Sequence, residues 1–566
     1  TSHAAGLGDA SHMPGETYQR YHVEKARGGL ALTMFGGSSY IGGDSLWVSG
    51  QLNISTDAII PHLEEFSSRV HAEGAAIMIQ ITHLGRRAET NTQNWMPAVA
   101  PSAVREIGHR AIPREMDRHD IDKVVQDFGD AAMRARDGGL DGLETMTHGH
   151  LIGQFFSPAT NHRTDGFGGS LENRCRFGLM VHEEIRRRVG DDFIVGMRMG
   201  IDESAGGGSD FEESLAIARL FESEGLIDFV NANYGRIDTE IALATECMPG
   251  MSAPNAPWLE RAGAFKQEIG LPVFHAAKIS DIATARHAIA SGLLDMVAMT
   301  RAHIADPHIV NKIMRGEEQR IRPCIGASHC MGVNRPTCLH NASTGREERF
   351  PHVISSTEGP LRKVVIVGGG PAGLEAARIS GERGHSVVLF EAANALGGQL
   401  CLASGKGWRS DIRTLIDWRI SELEILKVDV RLNVLADIGV VQAEEPDVVI
   451  VATGGIPAEG WVLGAEHCTD PWSVLSGAVR PTGRVLIYDG TGRHVAPMVA
   501  DAIYAGSSSL EYLTIDDLLA KELAYAERIV WRKRFAEIGL GIVTDQSLRS
   551  ISVSGNALQV TSVNEL

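Results

Sequence analysis

The sequence predicts an α/β protein: an N-terminal TIM (β/α)8 barrel with its first strand missing, followed by Rossmann-like domains with open parallel sheets. Three observations carry that expectation. From residue 1 to 300 a short apolar run, a turn and an amphipathic stretch recur, the pattern of parallel strands covered by helices. After a proline-bearing stretch at 351–360 the pattern restarts with a strand, a glycine-rich turn and a helix. The length of 566 residues also exceeds what one hydrophobic core organises, so the chain divides.

The barrel strands are expected at Gly29–Phe35, Ala76–Thr82, Asp141–Met146, Phe193–Met199, Ile227–Ala232, Pro272–Ala276 and Leu294–Thr300. A closed barrel needs eight strands, and the polar Thr1-Ser2-His3 reads as the outgoing tip of a strand whose body is missing. Beyond the linker, Arg362–Val367 is a strand, Gly368–Gly373 a turn, Leu374–Arg383 a helix and Ser386–Phe390 a strand ending at Glu391. Asp447–Val451 is a further strand, and Arg484–Tyr488 opens a third unit at Asp489-Gly490-Thr491-Gly492. The expected domains are 1–350, 361–480 and 481–566, the last incomplete because few strands remain before Leu566.

Composition narrows the partners. Lys and Arg number 53 against 71 Asp and Glu, a formal charge of −18, which argues against a nucleic-acid or anionic-membrane surface. No apolar run reaches the roughly 18 residues needed to span a bilayer, and no secretory signal is visible, so a cytoplasmic enzyme is expected. Seven cysteines make a disulfide framework improbable on parity alone, and Cys324, Cys330 and Cys338 crowd together, which reads first as a metal site. Zinc favours paired CxxC units, which this spacing lacks. Three thiolates suit a cubane iron–sulfur cluster with one iron left open or bound by a group such as His329.

The polar residues fall at strand ends, where barrel active sites are built. Gln80 and His83, His148 and His150, Arg198, Asn231 and Asn233, Lys278 and Arg301 all stand on that rim. Gln80 can pair with a donor and an acceptor edge of a flavin ring, Arg198 needs an anionic partner, and Lys278 and Arg301 follow the last two strands, the usual phosphate site. Together they describe a demand shaped like FMN. The histidines titrate near neutrality and can orient a substrate or take a proton. In the second domain, Gly368-x-Gly370-x-x-Gly373 lets the backbone approach a pyrophosphate at a helix N-terminus, with Glu391 placed for an adenosine ribose. Gln399 follows in the Gly397-Gly398-Gln399 loop. The Asp489 turn is degenerate, because Arg493 and His494 stand where small residues are usual.

The whole chain resembles the iron–sulfur flavoenzymes of the Old Yellow Enzyme superfamily, the trimethylamine dehydrogenase and 2,4-dienoyl-CoA reductase group. The resemblance lies in Gln80-x-x-His83-x-Gly85-Arg86, Asn161–Asn173 (NHRTDGFGGSLEN), Thr300–Pro307 (TRAHIADP), the cysteine segment with Asn341–Arg346 (NASTGR), and the Gly368–Gly373 turn. Leu30–Ser39 and His148–Phe155 look most like bacterial N-methylproline and dimethylglycine-type demethylases. The resemblance implies FMN in the barrel, a 4Fe-4S cluster held by Cys324, Cys330 and Cys338, and FAD or ADP on the glycine turn. It places Ser2, Gln80, Arg198 and Ala277 with the flavin, and Lys278 and Arg301 on its phosphate. Ala327 stands where a fourth cysteine is usual, and His150 stands where ene-reducing relatives carry a proton-donating tyrosine. The implied activity is oxidative N-demethylation of a small N-methylated amine or amino acid, releasing formaldehyde. His148 and His150 would serve catalysis, while Tyr234, Arg86, Arg87 and Arg236 would line the substrate site. An electron-acceptor protein and a homo-oligomer are expected. The alternative is an NAD(P)H-dependent enoate or 2,4-dienoyl-CoA reductase.

Overall fold

The structure is a computed structural model and describes residues 6–46, 50–88, 96–110, 112–204, 207–331, 336–405, 407–458 and 460–566. Ser2, assigned above to the cofactor site, lies outside the described residues. The chain divides into two compact units, Thr1–His352 and Val353–Leu566.

The first unit is built on seven strands in sequence order, every neighbouring pair parallel. They are β1 (Leu32–Tyr40), β2 (Ala76–Thr82), β3 (Gly142–Met146), β4 (Ile194–Gly200), β5 (Phe229–Asn233), β6 (Val273–His275) and β7 (Met296–Val297). All seven apolar runs became strands. The first shifted, however, because Phe35 does not end it: the register slips between Phe35 and Ser39, and the strand continues to Tyr40. Gly36 makes that bulge possible. It sits at φ +68°, and a Cβ there would lie 2.4 Å from the Ser39 hydroxyl. The last run shortens to Met296–Val297, because Thr300 already opens the helix Thr300–Ala305.

Amphipathic helices cover the outside of the sheet. The longest, Arg118–Asp137, is started by a reciprocal capping box between Asp117 and Asp120 and buries Ile121, Val124, Val125 and Phe128. The sheet curls so that β1, β2, β5 and β6 share one interior cluster of Met34, Met78 and Phe229, with Leu32 and Phe274 packed against it. The rings of Phe229 and Phe274 stack at 4.4 Å. Among the described residues no ladder joins β7 to β1, and a cavity of about 90 Å³ lined by Lys25, Thr33, Asn231 and His303 lies along that seam. Helices bridge it: Nε2 of His308 lies 2.7 Å from Glu24, and the Asn311 amide donates to Gly28 at 3.0 Å. A Cβ on Gly28 would lie 1.9 Å from the Pro307 carbonyl oxygen, so only glycine fits there.

The second unit holds two parallel sheets. The first has the order β10 (Asp429–Arg431), β9 (Ser386–Phe390), β8 (Lys363–Val367), β11 (Val448–Val451), the open arrangement of a dinucleotide fold. The second runs β12 (Gly483–Asp489), β13 (Ser507–Thr514), β14 (Ile542–Val543), and an antiparallel hairpin of β15 (Gln546–Ser554) and β16 (Ala557–Asn564) follows it. Among the described residues, no helix is long and apolar enough to cross a membrane.

Candidate active site

The ends of β2, β3, β4 and β5 gather one buried polar network. Glu144, fully enclosed on β3, accepts from Gln80 Nε2 and from Asn231 Nδ2 at 2.6 Å each. Gln80 Oε1 in turn accepts the Ser38 amide at 3.0 Å. The glutamine expected to face a flavin edge is thus oriented from below by a carboxylate that sequence reasoning missed. The signal was an acidic residue inside the apolar run Gly142–Met146 (GLETM). Arg198 Nε and Asn231 Oδ1 are buried without hydrogen-bond partners among the described residues. Such orphaned groups carry a desolvation cost that a polar ligand would remove.

The two histidines behave differently. His148 Nδ1 lies 2.8 Å from Asn233 Nδ2, which can only donate, and His148 Nε2 lies 2.6 Å from the Gly235 carbonyl, which can only accept. Its tautomer is therefore set with the proton on Nε2, and both nitrogens are engaged within the protein. Burial, ahead of the charges of Arg198 and Arg87, lowers its pKa to about 4. Taking a substrate proton is thus closed to His148, which clamps the end of β3 to the loop after β5. His150 Nδ1 meets the Thr82 hydroxyl at 2.7 Å, and its Nε2 makes no hydrogen bond among the described residues. Burial, with Arg87 next, holds His150 well below the usual imidazole range.

Around this centre the loops after β2 and β5 bring Arg86, Arg87 and Arg236 together, each beside a carboxylate. Arg87 lies 3.6 Å from the buried Glu106 and donates to the Ile237 carbonyl. Arg86 and Arg236 face Asp238 at 3.6 and 3.8 Å. The three arginines expected at the substrate site thus each have an acidic neighbour. The Tyr234 ring stacks on Trp258 at 3.9 Å, with the Trp258 indole N–H held by the Glu246 carbonyl at 2.7 Å. Burial and the neighbouring Asp202 and Glu246 raise the Tyr234 pKa, so its phenol stays protonated. Cys247 ends a π-turn, Leu243–Cys247, and its sulfur accepts from Asn233 at 3.2 Å.

The far end of the rim carries the phosphate-type residues. Ala277 and Lys278 are consecutive non-glycine residues at φ +68° and +60°, an uncommon conformation that clusters at ligand sites. Lys278 Nζ donates to the Met251 carbonyl at 3.1 Å and to that of Ala253, and Arg301 donates to Ser328 Oγ and the Pro249 carbonyl at 2.9 Å each. Ser328 belongs to the cysteine segment, so that segment packs directly behind these cations. Burial pushes the Cys330 thiol up to about 12, with Cys324 and Cys338 adding to the rise and Arg301 opposing it. Burial also raises Cys338. Among the described residues no three metal-ligating side chains stand in ligating geometry. Residues 332–335, between Cys330 and Cys338, lie outside the described set.

In the second unit the three glycines divide their tasks. Gly368 turns at φ +107°, with Ala452 O 2.4 Å from where its Cβ would be. A Cβ on Gly373 would lie 1.8 Å from the Gly368 oxygen, so the helix packs on the turn only without one. At Gly370 a Cβ would meet nothing within 4 Å, leaving that face of the turn open for a ligand. Glu391 accepts from the Gly369 and Ala393 amides at 2.7 Å each, and Gln399 Nε2 donates to the Gly455 carbonyl at 3.2 Å.

Residues 3–320 match the NADH:flavin oxidoreductase / NADH oxidase family, more than half of the chain, and residues 363–411 match the FAD dependent oxidoreductase family. The chain belongs to the NADH:flavin oxidoreductase family. It is 50% identical to a multifunctional alkene reductase/demethylase of Caballeronia cordobensis over 98% of this chain and 82% of that protein. It is 45% identical to a Rhizobium meliloti (strain 1021) protein named "Probable N-methylproline demethylase", over 96% of this chain and 81% of the relative. Histamine dehydrogenase from Rhizobium sp. 4-9 shares the fold, with a TM-score of 0.86 at 22% identity, covering 100% of this chain and 85% of that one. This flavin oxidoreductase therefore has the α/β architecture expected from its sequence, a barrel followed by an FAD-type domain. Its mouth fits FMN: Arg198 and Asn231 offer unpaired polar atoms, and Ala277 to Lys278 forms a strained turn beside Arg301.

Proposed function

We propose that this flavin oxidoreductase is an oxidative N-demethylase of a small N-methylated amine or amino acid, releasing formaldehyde. The observation that carries the reading is that both rim histidines are held neutral by burial, with His148 closed off entirely. Reduction of an activated alkene needs a proton donor at the pocket, whereas amine oxidation needs a neutral amine held in place. Two similar proteins named as demethylases support it. FMN bound here would supply the hydride acceptor. The chain's own residues do the rest. Gln80, fixed by Glu144, and Arg198 would hold the flavin ring, with Lys278, Ala277 and Arg301 at its phosphate. The stacked Tyr234 and Trp258 wall the pocket. His150 presents its Nε2 to the substrate, and Arg86, Arg87 and Arg236 steer a substrate carboxylate while sharing their charge with Glu106 and Asp238.

The three cysteines would hold an iron–sulfur cluster of the 4Fe-4S type. Thiolates are the donors such a cluster takes, and Cys324 and Cys338 lie near enough to Cys330 to add to the rise of its pKa, which supports the reading. FAD or ADP would sit on the Gly368–Gly373 turn, and an electron-acceptor protein would take the electrons. All seven cysteines are free, as in the reducing cytoplasm where we place this homo-oligomeric enzyme. The test is anaerobic incubation with N-methylproline, dimethylglycine and a panel of N-methyl amines. Flavin bleaching with equimolar formaldehyde is expected, and an oxidised flavin throughout would overturn the reading. Alkene reduction is the second reading, favoured by the protonated Tyr234 phenol and by the double activity in the name of the 50% identical relative.

A further inference from the structure

The turn after β12, Asp489-Gly490-Thr491-Gly492, lies where a parallel-sheet nucleotide fold offers backbone N–H groups to a pyrophosphate. Here two of those groups are already engaged. Asp489 Oδ1 accepts from the amides of Thr491 and Gly492 at 3.0 Å each and from the Thr491 hydroxyl at 3.1 Å. Its Oδ2 accepts from the Tyr512 hydroxyl on β13 at 2.7 Å. Asp489 is 1% exposed and has no cationic partner among the described residues, so four donors alone hold its charge. The neighbourhood is acidic as well. A Cβ on Gly492 would lie 2.5 Å from Asp516 Oδ2 and 3.3 Å from Glu522, and one on Gly490 would lie 3.3 Å from the Tyr488 ring. Burial and then the nearby Asp489 raise the Asp516 pKa, as like charges do. A phosphate entering would meet carboxylates rather than free amides. The contrast is with Gly370, which faces open space.

We propose that Asp489 is an internal anion filling the pyrophosphate cradle of the C-terminal nucleotide fold, so that this fold takes no dinucleotide. Electrons then reach or leave the flavin by a route that excludes a pyridine nucleotide bound there. The inference is independent of the substrate of the barrel. Hydrogen exchange on the intact holoenzyme, with and without millimolar NADH or NADPH, tests it. The segment 484–496 is expected to exchange at the same rate in all three conditions, and slowing there overturns the proposal. A nicotinamide entering the barrel mouth directly would bleach the flavin yet leave that segment unchanged, so this proposal and the demethylase reading fail separately. Asp489→Asn removes the charge while keeping the shape. The Thr491 and Gly492 amides are expected to exchange about tenfold faster, as charge-assisted bonds become neutral ones; unchanged rates overturn the anion's role. Should the variant fail to fold, the nucleotide comparison on the native enzyme still decides.

Discussion

The hydroxyl oxygen of Thr82 lies 2.7 Å from Nδ1 of His150, and both residues are buried at the mouth of the barrel. Because burial keeps His150 neutral, this bond fixes how its remaining nitrogen is presented. Thr82→Val keeps the shape but leaves a buried ring nitrogen unpaired, at about 1–3 kcal/mol. We expect kcat/KM to fall roughly tenfold, the lower part of that range, with Thr82→Ser near the native value. An unimpaired valine variant would rule out the coupling.

Stability should depend on pH through the buried imidazoles. Burial lowers His148, His182 and His275 to about 4, against 6.5 when exposed. Below pH 6.5 the unfolded chain binds protons that the folded chain refuses until about pH 4. Stability is therefore full above pH 6.5 and is lost as pH falls from 6.5 towards 4, each histidine contributing up to about 1.4 kcal/mol per pH unit. Calorimetry at pH 7, 6 and 5 should show the barrel's unfolding midpoint falling by more than about 5 °C. A flat profile would contradict the neutral histidines.

Two glycines of one turn should separate binding from folding. Gly370→Ala adds a methyl into open space, so the unfolding midpoint stays within about 2 °C, while FAD or ADP content drops because the backbone face is covered. Gly373→Ala drives a methyl to 1.8 Å from the Gly368 oxygen and should destabilise the second unit itself. Nucleotide analysis of denatured extracts and thermal scans distinguish them. Equal behaviour of the two variants would refute the division of tasks.

Cys330→Ser should abolish the iron signal and leave FMN bound, since Lys278 and Arg301 are hydrogen-bonded to Met251, Ala253, Pro249 and Ser328 rather than to that thiol. Iron content and flavin absorbance report on each separately. Iron retained at the native ratio would contradict the cluster assignment.

The strands and the glycine turns were legible because periodicity and backbone freedom are local properties. Ala76–Thr82 coincides with β2, and Lys363 to Phe390 forms the expected strand–turn–helix–strand unit. What was not legible depends on contacts between distant segments. Glu144 looks like a misplaced charge in an apolar run until β2 and β5 bring Gln80 and Asn231 to its two oxygens. His148 looks available until Asn233 and Gly235 close on it. Arg86, Arg87 and Arg236 look like free cations until the loops supply Glu106 and Asp238. The bulge after Phe35 was hidden because Gly36-Gly37-Ser38-Ser39 reads as a loop by composition.

Among the described residues, helices rather than a ladder close the seam between β7 and β1. Everywhere else around the ring, separating neighbours means breaking a ladder of backbone bonds. At the seam, among the described residues, the Glu24–His308 contact, the bonds of Asn311 to Gly28 and Arg27, and the fit of Gly28 against Pro307 hold the two edges. Within the described sheet β4 is the middle strand, so the pairing that sets Arg198 opposite Met146 lies far from both edges.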